Sequence, residues 1–188
     1  MSDLRFYSFV NYYLSSIQQG VQSFHVLHEM FNKYDEQRSD KWNTQAEVDA
    51  ACRLFEWSKN HTTLIILNGG AHADIDETYS KLFNLAPKLS FPMPFDKFHE
   101  DVKSLGGIIT ACGCVLPQEI YEAADYRKAC QILGNGFMVH VDPLCFGGED
   151  AYFFIDKSGE KPQAKHMFKF GTPEHELITL LKSCSLAR

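Results

Sequence analysis

The first part of the chain alternates between strand-like and helix-like patterns of apolar residues. The segment "LRFYSFVNYY" (4–13) is aromatic and β-branched, which predicts a strand, and residues 16–31 then repeat apolar residues at helical spacing. The apolar run "TTLIILNGG" (62–70) is typical of a strand buried on both faces. Residues 44–61 between them predict a second amphipathic helix, whose expected inward residues are Val48, Ala51, Cys52, Phe55 and Trp57.

Prolines and glycines mark the ends of the next elements. A third helix is predicted from the capping-box spacing of Asp74 and Glu77, and it ends before Pro87. The segment "FPMPFDKFHED" (91–101) holds two prolines, so a strand there should lie at a sheet edge or be irregular. "GGIITACGCVLP" (106–117) is a better strand. Since helices separate the strands, we predict an α/β fold with a mixed, mainly parallel sheet and flanking helices.

The pattern changes beyond Pro117. Residues 118–133 read as a helix, and three short strands follow in "FMVHV", "AYFFID" and "KHMFKF". The last two strands are expected to form a hairpin around Ser158-Gly159. A final helix should begin at Thr172, with Pro173 in its first turn. These features predict a C-terminal extension made of a β-hairpin and a helix.

The first helix carries two stripes. At 100° per residue, one sector is apolar and holds Ile17, Val21, Phe24, Leu27 and Phe31. Another sector is polar and holds Gln18, Gln22, His25 and Glu29. We expect the apolar stripe to face the core. Glutamine and histidine are neutral, directional hydrogen-bonding groups, so the polar stripe either faces water or faces a ligand.

Composition and charge narrow the class of protein. With 188 residues, 45% of them apolar and 22% charged, the chain has the make-up of a soluble globular protein of one domain. No apolar run approaches the ~20 residues of a membrane span, and the first residues lack the features of a secretion signal, so we expect a cytoplasmic protein without a membrane partner. The net charge of −6 argues against extended nucleic acid but allows a small anion.

The six cysteines show no disulfide or zinc-finger spacing. In a cytoplasmic chain they are expected to stay reduced and to act as small hydrophobic residues, with Cys112 and Cys114 on one face of a strand. We therefore expect neither a metal site nor a cofactor.

The order strand, helix with Gln-x-x-His, helix, strand, helix, then an Asp-containing loop and a strand resembles peptidyl-tRNA hydrolases of the archaeal and eukaryotic type. Gln22 and His25 match the Gln and His of that family's first helix, and Asp101 matches the aspartate of its later Asp-Ala-Gly-x-Thr loop, with Ser104 a looser match to the threonine. The resemblance covers about residues 4–116 and implies that family's compact fold over residues 1–117. Residues 118–188 have no counterpart and are expected to pack on that core within one domain.

This chain departs from the family at two points. Gln18 stands where the resemblance implies a lysine, and "DVK" replaces Asp-Ala-Gly. Ester hydrolysis on peptidyl-tRNA needs an activated water, charge stabilisation and a cationic surface for the phosphate backbone. An active hydrolase would then need Lys103 as the substitute cation beside His25 and Asp101. We regard catalysis as the less favoured interpretation.

A ligand site is predicted where the strands end, because ligands of α/β sheets gather at the carboxyl ends of strands beside helix N-termini. Tyr12 would stack on the ligand, and Ser15 or Ser16 would be the N-cap of the helix that begins there. Gln18, Gln22 and His25 would read a base or ribose. Asn68 and Gly69 would present backbone donors. Asp101, Lys103 and Ser104 would also contact the ligand, with Lys103 and Ser104 meeting phosphate; the alternative for Asp101 is that it only closes its loop.

The sequence thus predicts a protein that binds a nucleotide-like small molecule without turning it over. One biological form of this hypothesis is a viral protein in the host cytoplasm that captures a nucleotide-derived immune signal. The alternatives are a peptidyl-tRNA hydrolase and a partner-binding module whose aromatic extension, residues 137–170, forms a homodimer or hetero-complex face. A homo-oligomer, most simply a dimer, is expected.

Overall fold

A computed structural model describes residues 3–35, 44–100, 107–124, 132–133, 136–141, 149–156, 163–169 and 171–187. The chain divides into two compact units. The first unit consists of Met1–Pro117 with Cys184–Arg188, and the second of Gln118–Ser183. That the two form a single domain stays a prediction.

The described residues of the first unit form four strands and three helices. In chain order they are β1 (Leu4–Val10), α1 (Ser16–Lys33), α2 (Gln45–Asn60), β2 (Thr63–Asn68), α3 (His72–Leu85), β3 (Phe95–Glu100) and β4 (Ile108–Pro117), with a 3-10 turn at Ala86–Lys88. The α/β class is therefore confirmed. Helix α3 begins at His72, and its N-cap is Ala71 rather than Asp74. Asp74 is the third residue of the helix, and its Oδ2 accepts from the Ala71 N–H at 2.8 Å.

The sheet of this unit is mixed, with strand order β2-β1-β4-β3. Only β1 and β2 are parallel, whereas β4 is antiparallel to both β1 and β3. The prediction of a mainly parallel sheet is wrong. A parallel pair needs a long crossover connection, whereas only residues 101–107 separate β3 from β4 along the chain.

The apolar sequence of β2 predicted a strand buried on both faces, and this prediction is wrong. Strand β2 lies at an edge of the sheet. Leu67 is its one buried residue, and Leu64 is exposed. On its outer side β2 meets the end of the chain: the Asn68 N–H donates to the Ser185 carbonyl at 2.8 Å, and the Ala187 N–H donates to the Ile66 carbonyl at 3.0 Å. Backbone hydrogen bonds to residues 185–187 thus cover the outer edge of β2, although its apolar sequence is typical of a central strand.

Strand β3 lies at the opposite edge, as its prolines predicted, and its register shifts between Phe98 and His99. Its side chains alternate between the two faces of the sheet. Phe98 stacks on a side chain of α1, and Phe95 contacts two rings of α3. Strand β3 therefore contacts both α1 and α3.

Helices cover both faces of the sheet. Helices α1 and α2 share one core cluster with β1 and β4, which includes Phe6, Val26, Met30, Leu54 and Val115. Helix α3 packs on the other face, where the Cys112 Sγ lies 3.8 Å from the Ile75 carbonyl. Cys112 and Cys114 are both fully buried on that face, as expected.

The inward faces of the first two helices differ from the prediction. In α1, Ile17, Val21 and Phe24 are exposed, and the buried residues are Gln19, Gln22, Ser23, Val26 and Met30. Only the C-terminal part of the predicted apolar stripe, Leu27 and Phe31, packs against the core. In α2, Cys52 is exposed, and the buried residues are Ala50, Ala51, Leu54 and Trp57. Hydrogen bonds to the glutamines, described below, allow α1 to bury its polar side.

The second unit holds a four-stranded antiparallel sheet rather than a single hairpin. Its strands are β5 (Ile132–Leu133), β6 (Gly136–Val141), β7 (Glu149–Asp156) and β8 (Gln163–Lys169), in that spatial order. The predicted pairing of the last two is confirmed. Helices α4 (Gln118–Ala124) and α5 (Pro173–Ser183) complete the unit. Within the described ranges, no helix is long and apolar enough to span a membrane.

Candidate functional site

Backbone hydrogen bonds join the two loops at the carboxyl ends of β1 and β2. The Gly69 N–H donates to the Val10 carbonyl at 2.8 Å, and the Tyr12 N–H donates to the Gly70 carbonyl at 3.1 Å. The Asn68 Oδ1 accepts from the Gly70 N–H at 3.0 Å, and Gly70 has a φ of 83° that suits glycine. The backbone donors that Asn68 and Gly69 were expected to offer a ligand are both used within the protein, by the Ser185 carbonyl and the Val10 carbonyl.

Ser15 and Gln18 form the capping box of α1. The Ser15 Oγ accepts from the Gln18 N–H at 3.4 Å, and the Ser15 N–H donates to the Gln18 Oε1 at 3.0 Å. Each side chain satisfies a backbone group that the helix start would leave free. The structure therefore gives both residues a local structural role, and their contact with a ligand stays a prediction.

Two residues of the polar stripe of α1, Gln22 and His25, face β3 and β4. Gln22 is buried; its Nε2 donates to the Glu100 Oε2 at 2.9 Å, and its Oε1 accepts from the Thr110 Oγ1 at 2.7 Å. His25 stacks on the Phe98 ring at a centroid distance of 4.4 Å. These contacts account for Gln22 and His25 with side chains of the protein itself, whereas Gln18 at the start of the helix is exposed.

Three predicted site residues, Asp101, Lys103 and Ser104, lie outside the described residues. Of the alternative hydrolase set, only His25 is therefore placed. Tyr12 is about half exposed, and its ring centroid lies 3.8 Å from that of Tyr13 in the turn before α1. The hydrogen bond with Tyr13 raises the pKa of the Tyr12 phenol.

A different part of the first unit forms a concave site. A depression of about 370 Å³ lies between α3 and β3, which we call the α3–β3 pocket. Its lining residues are Asp76, Tyr79, Ser80, Phe83, Asn84 and Lys97. This volume is at the lower end of the ~300–1,000 Å³ of small-molecule sites. Five of the six residues come from α3 at spacings of three and four, so they form one face of that helix.

Aromatic contacts build the floor of the pocket. The Tyr79 ring lies 5.8 Å from Phe95, and the Phe83 ring meets Phe95 edge-on at 6.3 Å. Phe95 is buried, whereas Phe83 is 58% exposed. Phe83 thus contacts the floor through Phe95, and more than half of its side chain remains open to a ligand.

Lys97 carries the positive charge of the pocket. Its Nζ lies 4.3 Å from the centroid of the Tyr79 ring, a cation–π contact that holds the ammonium group against the aromatic floor. Burial first, and then the charge of Asp96, raise the pKa of the Tyr79 phenol, so this ring stays neutral. A neutral donor, an ammonium group and an open ring thus lie side by side.

Polar groups of α3 complete the lining. Asp76, Ser80 and Asn84 are all exposed and offer a carboxylate, a hydroxyl and a carboxamide. The structure gives the Ser80 hydroxyl and the Asn84 amide no hydrogen-bond partner among the described residues. These groups are free to exchange water for the polar edge of a ligand.

The sequence did not predict this pocket. The available signal was the pair Tyr79 and Phe83, two aromatic residues one helical turn apart between polar neighbours. Recognising the site also required the position of Lys97, which depends on β3 lying beside α3.

The described residues contain no group of three His, Cys, Asp or Glu side chains arranged to hold a metal ion. The α3–β3 pocket has one carboxylate beside one ammonium group, which is a poor donor set for a divalent cation. It fits an organic ligand with an aromatic ring and an anionic group better.

Comparison with models of known protein families finds no match to this chain, and comparison with curated protein sequences finds none either.

Proposed function

We propose that this protein binds a nucleotide-like small molecule in the α3–β3 pocket and does not turn it over. The observation that carries the proposal is the grouping of an exposed aromatic ring, a lysine, an amide and a carboxylate around one depression of suitable size. The nature of the ligand is the one the sequence predicted, but the site is on α3 and β3 rather than on α1.

Each part of a nucleotide has a chemical counterpart in this pocket. A base can stack on the open face of Phe83, an interaction of ~1–3 kcal/mol per base in single-strand binding proteins. The Asn84 amide has the donor and acceptor that pair with an adenine edge. The Asp76 carboxylate suits sugar hydroxyls, and the Lys97 ammonium group suits phosphate.

The charge of the pocket limits the class of nucleotide. Lys97 is its single cation and Asp76 opposes it, so a triphosphate would bring more negative charge than the lining can balance. The net charge of −6 adds a repulsive background. We therefore expect a ligand with one phosphate group, such as a nucleoside monophosphate or a cyclic mononucleotide.

Binding without turnover follows from the groups that line the site. Among the six lining residues there is no histidine or cysteine, and Ser80 has no hydrogen-bonded base among the described residues. A serine hydroxyl is a weak nucleophile unless a neighbouring base activates it. Capture of an intact ligand is also what the hypothesis of a viral protein that removes an immune signal requires. The peptidyl-tRNA-hydrolase-like fold and a cytoplasmic location stay predictions.

The proposal is tested by calorimetric titration with adenosine, adenosine monophosphate and adenosine triphosphate. We expect the monophosphate to bind best and to be recovered unaltered. Lys97→Gln should weaken monophosphate binding at least about tenfold, the effect of losing a charged hydrogen bond, and should leave adenosine binding unchanged. Phe83→Ala should weaken both by about tenfold through the loss of stacking.

Two variants serve as matched controls. Lys81→Gln removes a lysine of the same helix that is paired to Glu77 at 2.7 Å and does not line the pocket. Phe24→Ala removes an exposed phenylalanine from α1. Neither should change the affinity. No measurable binding of any probe, conversion of the monophosphate, or equal losses in the controls would contradict the proposal.

A further inference from the structure

The outward face of α1 is the other unusual surface of the first unit. We call Ile17, Val21 and Phe24 the α1 stripe; their side chains are 81%, 47% and 66% exposed. They lie one helical turn apart, and the buried face of α1, centred near Val26, is about 180° away around the helix. The turn before α1 adds the exposed rings of Tyr12 and Tyr13.

Only the C-terminal part of this apolar face is covered within the first unit. Phe31, two turns after Phe24, lies 5.8 Å from Phe55 of α2 and packs against the core. No such cover lies on the α1 stripe among the described residues. The three stripe residues and the two tyrosines expose on the order of 600 Å² of mainly apolar surface, the upper limit for an ordinary monomer.

Charge identifies the kind of partner. Residues 6–28 contain no Asp, Glu, Lys or Arg, in a chain that is 22% charged and carries a net charge of −6. A two-fold interface places the same patch on both subunits, so a charged patch would face like charges. The α1 stripe has none and can meet its own copy without such repulsion.

We propose that the α1 stripe is the interface of a homodimer, in which α1 packs antiparallel against α1 of a second copy. With the two-fold axis beside Val21, Ile17 faces Phe24 of the partner subunit. Gly20 flanks the stripe, and a Cβ added there would meet nothing within 4 Å, so the two helix backbones can approach closely. Two patches of this size bury ~1,200 Å², which is enough for a specific interface at the lower end of the usual range.

This inference goes beyond ligand binding, because the stripe and the α3–β3 pocket lie on opposite faces of the sheet. The test is sedimentation velocity of the full chain over a wide range of concentration. We expect a reversible dimer for the wild type. Val21→Glu and Val21→Lys, both at a half-exposed position that tolerates a charge, should each be monomeric, with dimer dissociation constants raised at least about tenfold.

Mixing the two charged variants distinguishes a second copy from any other occupant. Since the axis lies beside residue 21, Val21→Glu and Val21→Lys should form a heterodimer when combined. The control Phe83→Ala, an exposed phenylalanine on the opposite face of the sheet, should dimerise like the wild type. A wild type that is monomeric at every concentration would overturn the proposal. Binding of that monomer to phosphatidylcholine vesicles through the α1 stripe would show that a membrane, not a second copy, covers it. Charged variants that remain dimers, or a mixture that stays monomeric, would overturn it too.

Discussion

Helices α1 and α3 both pack against β3, and they use their residues in opposite ways. Helix α3 buries Ile75 and Leu82 and presents polar groups and one ring to the outside. Helix α1 buries Gln19 and Gln22 and leaves three apolar side chains exposed. The contrast shows that periodicity locates the stripes of a helix, whereas hydrogen-bond partners decide which polar stripe can be buried.

The difference underlies the two proposals, one for each helix. The outward face of α3 combines a ring, a lysine and free polar groups, which suits a small polar ligand. The outward face of α1 is apolar and uncharged, which suits a protein surface of the same kind.

The largest expected effect on stability comes from truncating a buried isoleucine of α3, and an exposed isoleucine of α1 provides the comparison. Ile75→Ala should lower the free energy of unfolding by about 2–5 kcal/mol, because Ile75 is fully buried beside Cys112. Ile17→Ala should change it by no more than about 0.5 kcal/mol, because this side chain is 81% exposed. Urea unfolding of protein dilute enough to be monomeric measures both. Similar losses would show that Ile17 belongs to the core after all.

The second prediction concerns the buried polar side of α1. Gln22→Ala should lower the free energy of unfolding by about 1–3 kcal/mol, because the Thr110 hydroxyl and the Glu100 carboxylate lose their partner. Asn32→Ala, at an exposed position of the same helix, should have an effect within about 0.5 kcal/mol. If Gln22 instead faced a ligand, the variant would be as stable as the wild type.

The smallest effect depends on pH and concerns Asp96, on the α1 side of β3. Burial raises the pKa of this carboxyl above its ordinary value of 3.8, although Lys33, whose Nζ is 3.9 Å away, opposes the shift. Since the folded state then binds the proton more tightly than the unfolded state, the contribution of Asp96 to stability is greatest below pH 3.8 and is lost as the pH rises through the raised pKa.

Asp96→Asn removes this titration. Relative to the wild type, the variant should gain stability as the pH rises from below 3.8 to neutral. Urea unfolding at a series of pH values gives the free energy of unfolding of both proteins. The titration of the other carboxyl groups contributes equally to both and drops out of the difference. Parallel stability curves would contradict the assigned burial of Asp96.

Much of the fold could be predicted from local signals. The central strands β1 and β4 have dense apolar and β-branched sequences, and Pro92 and Pro94 correctly placed β3 at an edge. The role of β2 could not be predicted, because its apolar run is satisfied by pairing with residues 185–187, a contact far away along the chain.

The candidate site was harder to predict for the same reason. Gln18, Gln22 and Asn68 looked available because their partners, Ser15, Thr110 and the Gly70 N–H, are visible only once the backbone is folded. The α3–β3 pocket depends on Lys97 lying over Tyr79. A single sequence shows residue types and their spacing, but it does not show which helix covers which strand.

The most direct test of ligand binding is an NMR titration of isotope-labelled protein with adenosine monophosphate, which observes each backbone amide separately. We predict that the shift changes concentrate at residues 76–84 of α3 and at Lys97, and that in Lys97→Gln they require at least about tenfold more adenosine monophosphate. Changes confined to Ser15–Gln22 and Asn68–Gly70, or no changes at all, would contradict it.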